Sequence, residues 1–322
     1  MRQLSNRPTP PRPPASPRFA LRAERAMLLM TPPTRERLES SELSEFDRGV
    51  AEAFAISSVV AASDPLPLRR QVDQFNPDVI IAAGGDGTVN LALQAMRAHD
   101  SLALLPLGTA NDLARYLGVQ RNPGFLGSFV LSAACNIDVL RVNEQRFCTT
   151  GGLGLPAEVA HRVNVVREEG RGSWLESLGA RIYPVIGAEC CLRTTPIYRL
   201  KIEWEDLGDG SLRAADVQTP GLFVTNQSTF ARSLQVVRDA DNADGVFELC
   251  IMLVRGRMPL LRLLGGWSSD EQPGPGELRV IRTRRARIVA DREVRFYGDG
   301  EVLDKGSCFE LGIEPSALRL LS

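Results

Sequence analysis

Residues 82–90 read "AAGGDGTVN", with glycines around one aspartate directly after the apolar run Val79-Ile80-Ile81. Glycine at such a turn lets phosphate oxygens reach backbone N–H groups with no Cβ in the way, and a following helix N-terminus adds partial positive charge. A carboxylate beside phosphate repels it unless a cation stands between them. Asp86 among these glycines therefore points to a metal–nucleotide complex. The plain alternative is a β-to-α turn in which Asp86 caps the helix. A second stretch, "PLGTANDLAR" from Pro106 to Arg115, repeats the pattern after the next strand, with Gly108 and Thr109 ahead of Asn111 and Asp112 at a helix start. These side chains can cap the helix or meet a ligand. Two adjacent strand ends with this chemistry favour one shared pocket over two independent caps.

The elements that must position these residues alternate up to about residue 134. Strands are expected at Met27–Met30, Ile56–Ala62, Val79–Ala83 and Leu102–Leu105. Between them lie a helix-like segment reaching Phe54, a face of Leu68, Val72 and Phe75, and a helix from Thr88 with Val89, Ala92, Leu93 and Met96 on one side. A last helix runs from Asn111 to near Gly118. This β-α-β order predicts a parallel sheet covered by helices, and open α/β sheets bind ligands at the C-terminal ends of their strands. Beyond residue 135 a period of two dominates, clearest in "YRLKIEW", where Tyr198, Leu200, Ile202 and Trp204 share one face. Further strands are expected at Gly221–Thr225, Phe247–Val254, Arg279–Ala290, Glu293–Tyr297 and Phe309–Ile313. The fold class expected is an N-terminal α/β domain with a parallel sheet plus a mostly antiparallel β domain, with the active site in the cleft between them. The boundaries are 25–134, joined by 312–322, and 135–311, after a Pro- and Arg-rich tail at 1–24 expected to be disordered.

Composition narrows the function. The formal net charge of the 322 residues is −1, which gives no overall positive field for nucleic acid. The six cysteines form no C-x-x-C pair, as suits a reducing compartment. With only His99 and His161 present, a histidine-rich metal site or a Ser-His-Asp relay has few possible members. No signal peptide or eighteen-residue apolar span is seen, and a cytoplasmic protein is expected.

The series "GGDGTVN", "PLGTANDLAR", "TGGLGLPAEV", "DADNADGVFEL" and "YGDGE" resembles, in order and approximate spacing, the diacylglycerol kinase catalytic family, which includes sphingosine and ceramide kinases and bacterial soluble lipid kinases. The resemblance spans residues 25–322. "GGDGT" alone is shared with NAD kinases and phosphofructokinases. The resemblance implies a two-domain kinase using ATP and Mg²⁺. The nucleotide would lie against Gly84, Gly85, Asp86, Gly87, Thr88, Val89 and Asn90, with Gly108, Thr109, Asn111 and Asp112 beside it. It implies Glu301 as the catalytic base, which makes chemical sense because an alcohol attacking a γ-phosphate must lose its proton. Asp299 would orient Glu301 or help hold the catalytic Mg²⁺, its alternative being an Asp-Gly hairpin turn. "DADNADG" resembles a loop that binds a structural Mg²⁺, with Asp241, Asp244 and the carbonyl of Val246 as matched ligands; a solvated turn is the alternative.

The acceptor implied is a diacylglycerol-like lipid met at a membrane surface, which would make the protein peripheral there. A soluble acceptor such as NAD and an inactive nucleotide-binding regulator stand as alternatives, and a homodimer is left open. The chain departs from the family pattern in places. The N-P-x-S-G phosphate loop is replaced by "MTPPTRERLES", in which Thr31, Pro32 and Thr34 fall in approximate register and Arg35 or Arg37 could supply charge. The family's usual Glu after Asn90 gives way to Leu91, and its glycine-rich turn before the metal loop to "STFARSLQVV". "VRGRMPLLRLLGGW" reads as a helix packed on the β domain, with an interfacial docking element as the alternative. "GLGLPA" fits a dinucleotide fingerprint, but no ribose-binding acid follows at the required distance, and its glycines are expected to belong to the cleft.

Overall fold

The computed structural model describes residues 25–39, 56–98, 100–108, 110–119, 134–168, 182–193, 196–230, 234–235, 237–268, 273–274 and 276–321. The tail at 1–24, the segment leading to Phe54, His99 and Thr109 lie outside them. Four strands, β1 (Ala26–Met30), β2 (Ile56–Ala61), β3 (Val79–Gly84) and β4 (Ser101–Pro106), form a parallel sheet ordered β4-β3-β1-β2. Every residue of β1 and β3 is buried, as expected of parallel strands covered on both faces. The connecting helices are α1 (Pro32–Glu39), α2 (Pro65–Phe75), α3 (Asp86–Ala95) and α4 (Asp112–Tyr116). Helix α2 shows how local chemistry sets such boundaries. The Asp64 carboxylate accepts the Leu66 N–H at 2.9 Å, Pro65 opens the first turn, and Asn76 in the left-handed region closes the last.

The second half contains β5 (Ala134–Val142), β6 (Gln145–Phe147), β7 (Thr150–Gly154), α5 (Leu155–Glu168), α6 (Ile182–Leu192), β8 (Tyr198–Glu205), β9 (Leu212–Thr219) and β10 (Gly221–Thr225). The short pair β11 (Thr229–Phe230) and β12 (Leu234–Gln235), then β13 (Phe247–Met252), α7 (Arg257–Ser268), β14 (Leu278–Thr283), β15 (Arg285–Gly298) and β16 (Glu301–Leu321) complete it. Apart from β11 and β12, the strands join one continuous sheet. The last residues of β16 pair in parallel with β4, while its earlier part pairs antiparallel with β15. The two halves thus share a backbone ladder.

Several expectations need correction. The strand expected over Arg279–Ala290 divides at Arg284, where the Thr283 hydroxyl accepts the Arg285 N–H at 3.3 Å. The break expected after Ala290 is only a register shift within β15. Helices α5 and α6 were not expected in a mostly β half. Helix α6, "IYPVIGAECCL", carries one charged residue, so no polar stripe marks its period. The glycines of "TGGLG" build sheet packing: a Cβ on Gly152 would stand 2.2 Å from the Leu222 carbonyl oxygen, and one on Gly151 2.7 Å from that of Tyr297. Helix α7 buries Leu260, Leu263 and Trp267 against the β domain, matching the packed-helix reading.

Candidate active site

Strand β3 ends at Gly84 and α3 begins at Asp86, so the glycine turn sits at the C-terminal edge of the parallel sheet. A Cβ on Gly84 would stand 2.1 Å from Thr88 Oγ1. The turn packs directly on the one that follows β4. Leu107 N and Gly108 N both donate to the Gly84 carbonyl, at 2.9 and 3.2 Å, and a Cβ on Gly108 would come within 2.3 Å of Gly85 Cα. Asn111, at φ +51°, seals this second turn: its Oδ1 accepts Gly108 N at 3.0 Å and its Nδ2 donates to the Gly108 carbonyl at 2.8 Å. The Asp112 N–H donates to Asp86 Oδ1 at 2.7 Å. Lost hydration first, then the charge of Asp112 and a smaller effect of Asp299, push Asp86 up to about 7.

The facing wall comes from the hairpin between β15 and β16. Asp299 and Gly300, with φ of +52° and +85°, form its two-residue turn, where left-handed residues match the strand twist. Asp299 is buried, and its carboxylate accepts from Asn90 Nδ2 at 3.0 Å, Cys148 N at 3.1 Å, Thr149 N at 2.8 Å and Thr149 Oγ1 at 2.6 Å. Both oxygens are engaged by protein donors, which ties α3 of the first half to the β6–β7 turn of the second. Glu301 follows immediately. Its Oε1 lies 2.8 Å from where a Cβ on Gly87 would stand, and its Oε2 accepts from Asn164 Nδ2 at 3.3 Å.

Between these walls is a cleft of about 680 Å³ lined by Thr34, Gly85, Asp86, Gly87, Thr88, Asn90, Leu91, Gly108, Asp299 and Glu301, among others. Thr31 and Thr34, whose hydroxyl oxygens are 3.0 Å apart, border it from α1 and the residue before it. An apolar cavity meets the same carboxylates from the other side. Asp86, Asp112 and Asp299 border its polar end, and Val159, Tyr183, Phe223, Met252, Leu264 and Trp267 line its apolar part.

Comparison with known proteins gives the family. Residues 26–142 match the model of the diacylglycerol kinase catalytic domain, and residues 183–322 match the YegS C-terminal NAD kinase beta sandwich-like domain. The chain belongs to the diacylglycerol kinase catalytic-domain family. A diacylglycerol kinase of Bacillus subtilis is 24% identical over 287 residues, covering 86% of this chain and 90% of that protein. A diacylglycerol kinase of Mycobacterium tuberculosis is 28% identical over 259 residues, or 76% of each chain. A crystal structure of a Bacillus anthracis diacylglycerol kinase shares the fold, with a TM-score of 0.64 at 16% identity over 94% of this chain and 97% of that one.

In this member of the diacylglycerol kinase family, not every residue singled out in the sequence borders the cleft. Gly84 and Val89 are packed beneath it, Asn111 serves the Gly108 turn, and Asp112 faces the apolar cavity. Arg35 is exposed, and the side chain of Arg37 lies outside the described residues. Asn164 and Tyr183, which border the cleft, carried no sequence signal because the helices that bear them were not expected. Among the described residues no three His, Cys, Asp or Glu side chains are grouped to hold a metal unaided. Asp86, with Asp112 and Asp299 near it, nevertheless suits Mg²⁺, which commonly takes one or two carboxylates together with phosphate oxygens.

The acidic loop is engaged differently. Asp241 Oδ1 accepts Ala243 N and Asp244 Oδ1 accepts Val246 N, both at 3.1 Å, while Asp244 Oδ2 pairs with Arg282. Asp138, fully buried, anchors the loop through Gly245 N at 2.7 Å.

Proposed function

We propose that this protein is an ATP- and Mg²⁺-dependent lipid kinase that transfers the γ-phosphoryl group to a hydroxyl of a diacylglycerol-like acceptor, at the cytoplasmic surface of a membrane. The observation that carries this reading is the junction of the two cavities: Asp86, Asp299 and Gly300 border both the polar cleft and the apolar cavity. An acceptor with an apolar body would find Phe223, Met252, Leu264 and Trp267 around that body, with its hydroxyl at the acidic junction. A soluble acceptor such as NAD would gain little from such a lining.

In this reading the glycine turn and the start of α3 receive the phosphates. Mg²⁺, held through Asp86, would neutralise charge on the transferring group. Glu301 takes the proton of the acceptor hydroxyl as its oxygen bonds to phosphorus and the bond to the ADP oxygen breaks. Asp299 contributes by holding the hairpin that carries Glu301. Incubation with labelled ATP and diacylglycerol, a sphingoid base, phosphatidylglycerol or NAD tests the reading. Label in diacylglycerol is the expected result. Label confined to NAD, or ATP binding with no label transferred, would replace it by a soluble-acceptor kinase or a nucleotide-binding regulator.

A further inference from the structure

The acidic loop matches a Mg²⁺-binding pattern in sequence, yet one of its carboxylates, Asp244, already pairs with a guanidinium from β14. Arg282 projects from β14 and pairs with Asp244 Oδ2, while its Nε donates to Glu248 Oε1 at 3.2 Å. Glu248 is buried, only 1% exposed, on β13, the strand next to the edge strand β14. A buried carboxylate needs a compensating cation, and a guanidinium fork can serve two carboxylates at once. The register of the sheet makes this possible, since Glu248 lies directly opposite Arg282 in the β13–β14 ladder. Asp241 and Asp244 meanwhile spend an oxygen each on N–H groups of their own loop.

We propose that Arg282, rather than a bound divalent cation, holds the 240–246 loop in this chain, so that the fold is independent of the structural Mg²⁺ that the loop's sequence implies. The loop matters to the active site through α4. Tyr116 donates to the Ala240 carbonyl at 3.4 Å, and the other end of the same helix is Asp112, whose N–H holds Asp86. Arg282 is thus a positioning residue.

The test is thermal unfolding of the full chain without nucleotide or lipid, in MgCl₂ and in chelator. It is run in an Asp86→Asn background so that cation binding at the cleft does not enter. The expected result is one midpoint in both buffers, a midpoint lower by a few degrees for added Arg282→Gln, and only partial recovery with Arg282→Lys, whose single ammonium lacks the fork that serves both carboxylates. A midpoint that falls on chelation and returns with Mg²⁺ would overturn the proposal, as would an Arg282→Gln protein that unfolds with the background protein. The two-buffer comparison needs no Arg282 variant, so it decides even if Arg282→Gln fails to fold. Because no phosphoryl transfer is measured, the outcome is independent of which acceptor the kinase uses.

Discussion

Glu301 and Asp299 are two residues apart and differ in what their carboxylates do. Asp299 is surrounded by donors and is a structural tie, whereas Glu301 is exposed to the cleft and rests against Gly87 and Asn164. Glu301→Gln should therefore lower kcat by about 10²–10⁴-fold, the usual range for a general base. Its thermal midpoint should stay unchanged, and undiminished transfer to lipid would remove Glu301 from the mechanism. Asp86 makes a separate prediction. Its folded-state pKa is raised from 3.8 to about 7, so the folded protein holds that proton more tightly than the unfolded chain. Stability is then greatest below the unfolded value and declines as pH rises from about 4 to about 7. Burial likewise raises Glu248 from 4.5 to about 7 and adds a slope of the same sign. Unfolding midpoints in chelator should fall across this window, with Asp86→Asn removing part of the slope and Glu248→Gln another part. An unaltered slope in Asp86→Asn protein would show that its carboxyl is not the titrating group.

At the scale of elements, the site is a contact between two strand-to-helix turns, and its glycines differ in what crowds them. Gly108 faces backbone: a Cβ there would meet Gly85 Cα at 2.3 Å, which no side-chain rotation relieves. Gly87 faces the end of a side chain, Glu301 Oε1 at 2.8 Å. Gly108→Ala should therefore cost about 1–3 kcal/mol or more in denaturant unfolding, as overpacking does. Gly87→Ala should unfold close to the original protein while losing most of its kcat, because Glu301 is displaced. Equal stability losses in the two variants would contradict this distinction. Both turns were legible in the sequence because glycine and Asn-Asp clusters after apolar runs have local causes. Asn164 and Tyr183 were not legible. For Tyr183 the reason is that α6 has no polar stripe, since it packs against both α5 and α7 and is apolar nearly all round.

At the scale of the whole molecule, one sheet runs from the edge strand β14 to β2, and β16 is its hinge of continuity, pairing with β15 at one end and β4 at the other. The apolar cavity lies where α5, α6 and α7 cover this sheet beside the β15–β16 hairpin. Gly187, whose Cβ would sit 3.4 Å from Leu264, marks a narrow point between α6 and α7. Gly187→Leu should lower kcat/KM for long-chain diacylglycerol more than for a short-chain analogue and leave the KM for ATP unchanged. Equal losses on both acceptors would argue that the chain does not pass this point. By itself the sequence determined the alternation of strands and helices in the first half and the two glycine turns that end β3 and β4, because each depends on residues close together along the chain. Only the tertiary structure decided that Asp299 is a tie and that Arg282 reaches the acidic loop. It alone showed that an apolar cavity ends at Asp86. These facts depend on which distant residues meet across strand register and helix packing, and no local periodicity records that.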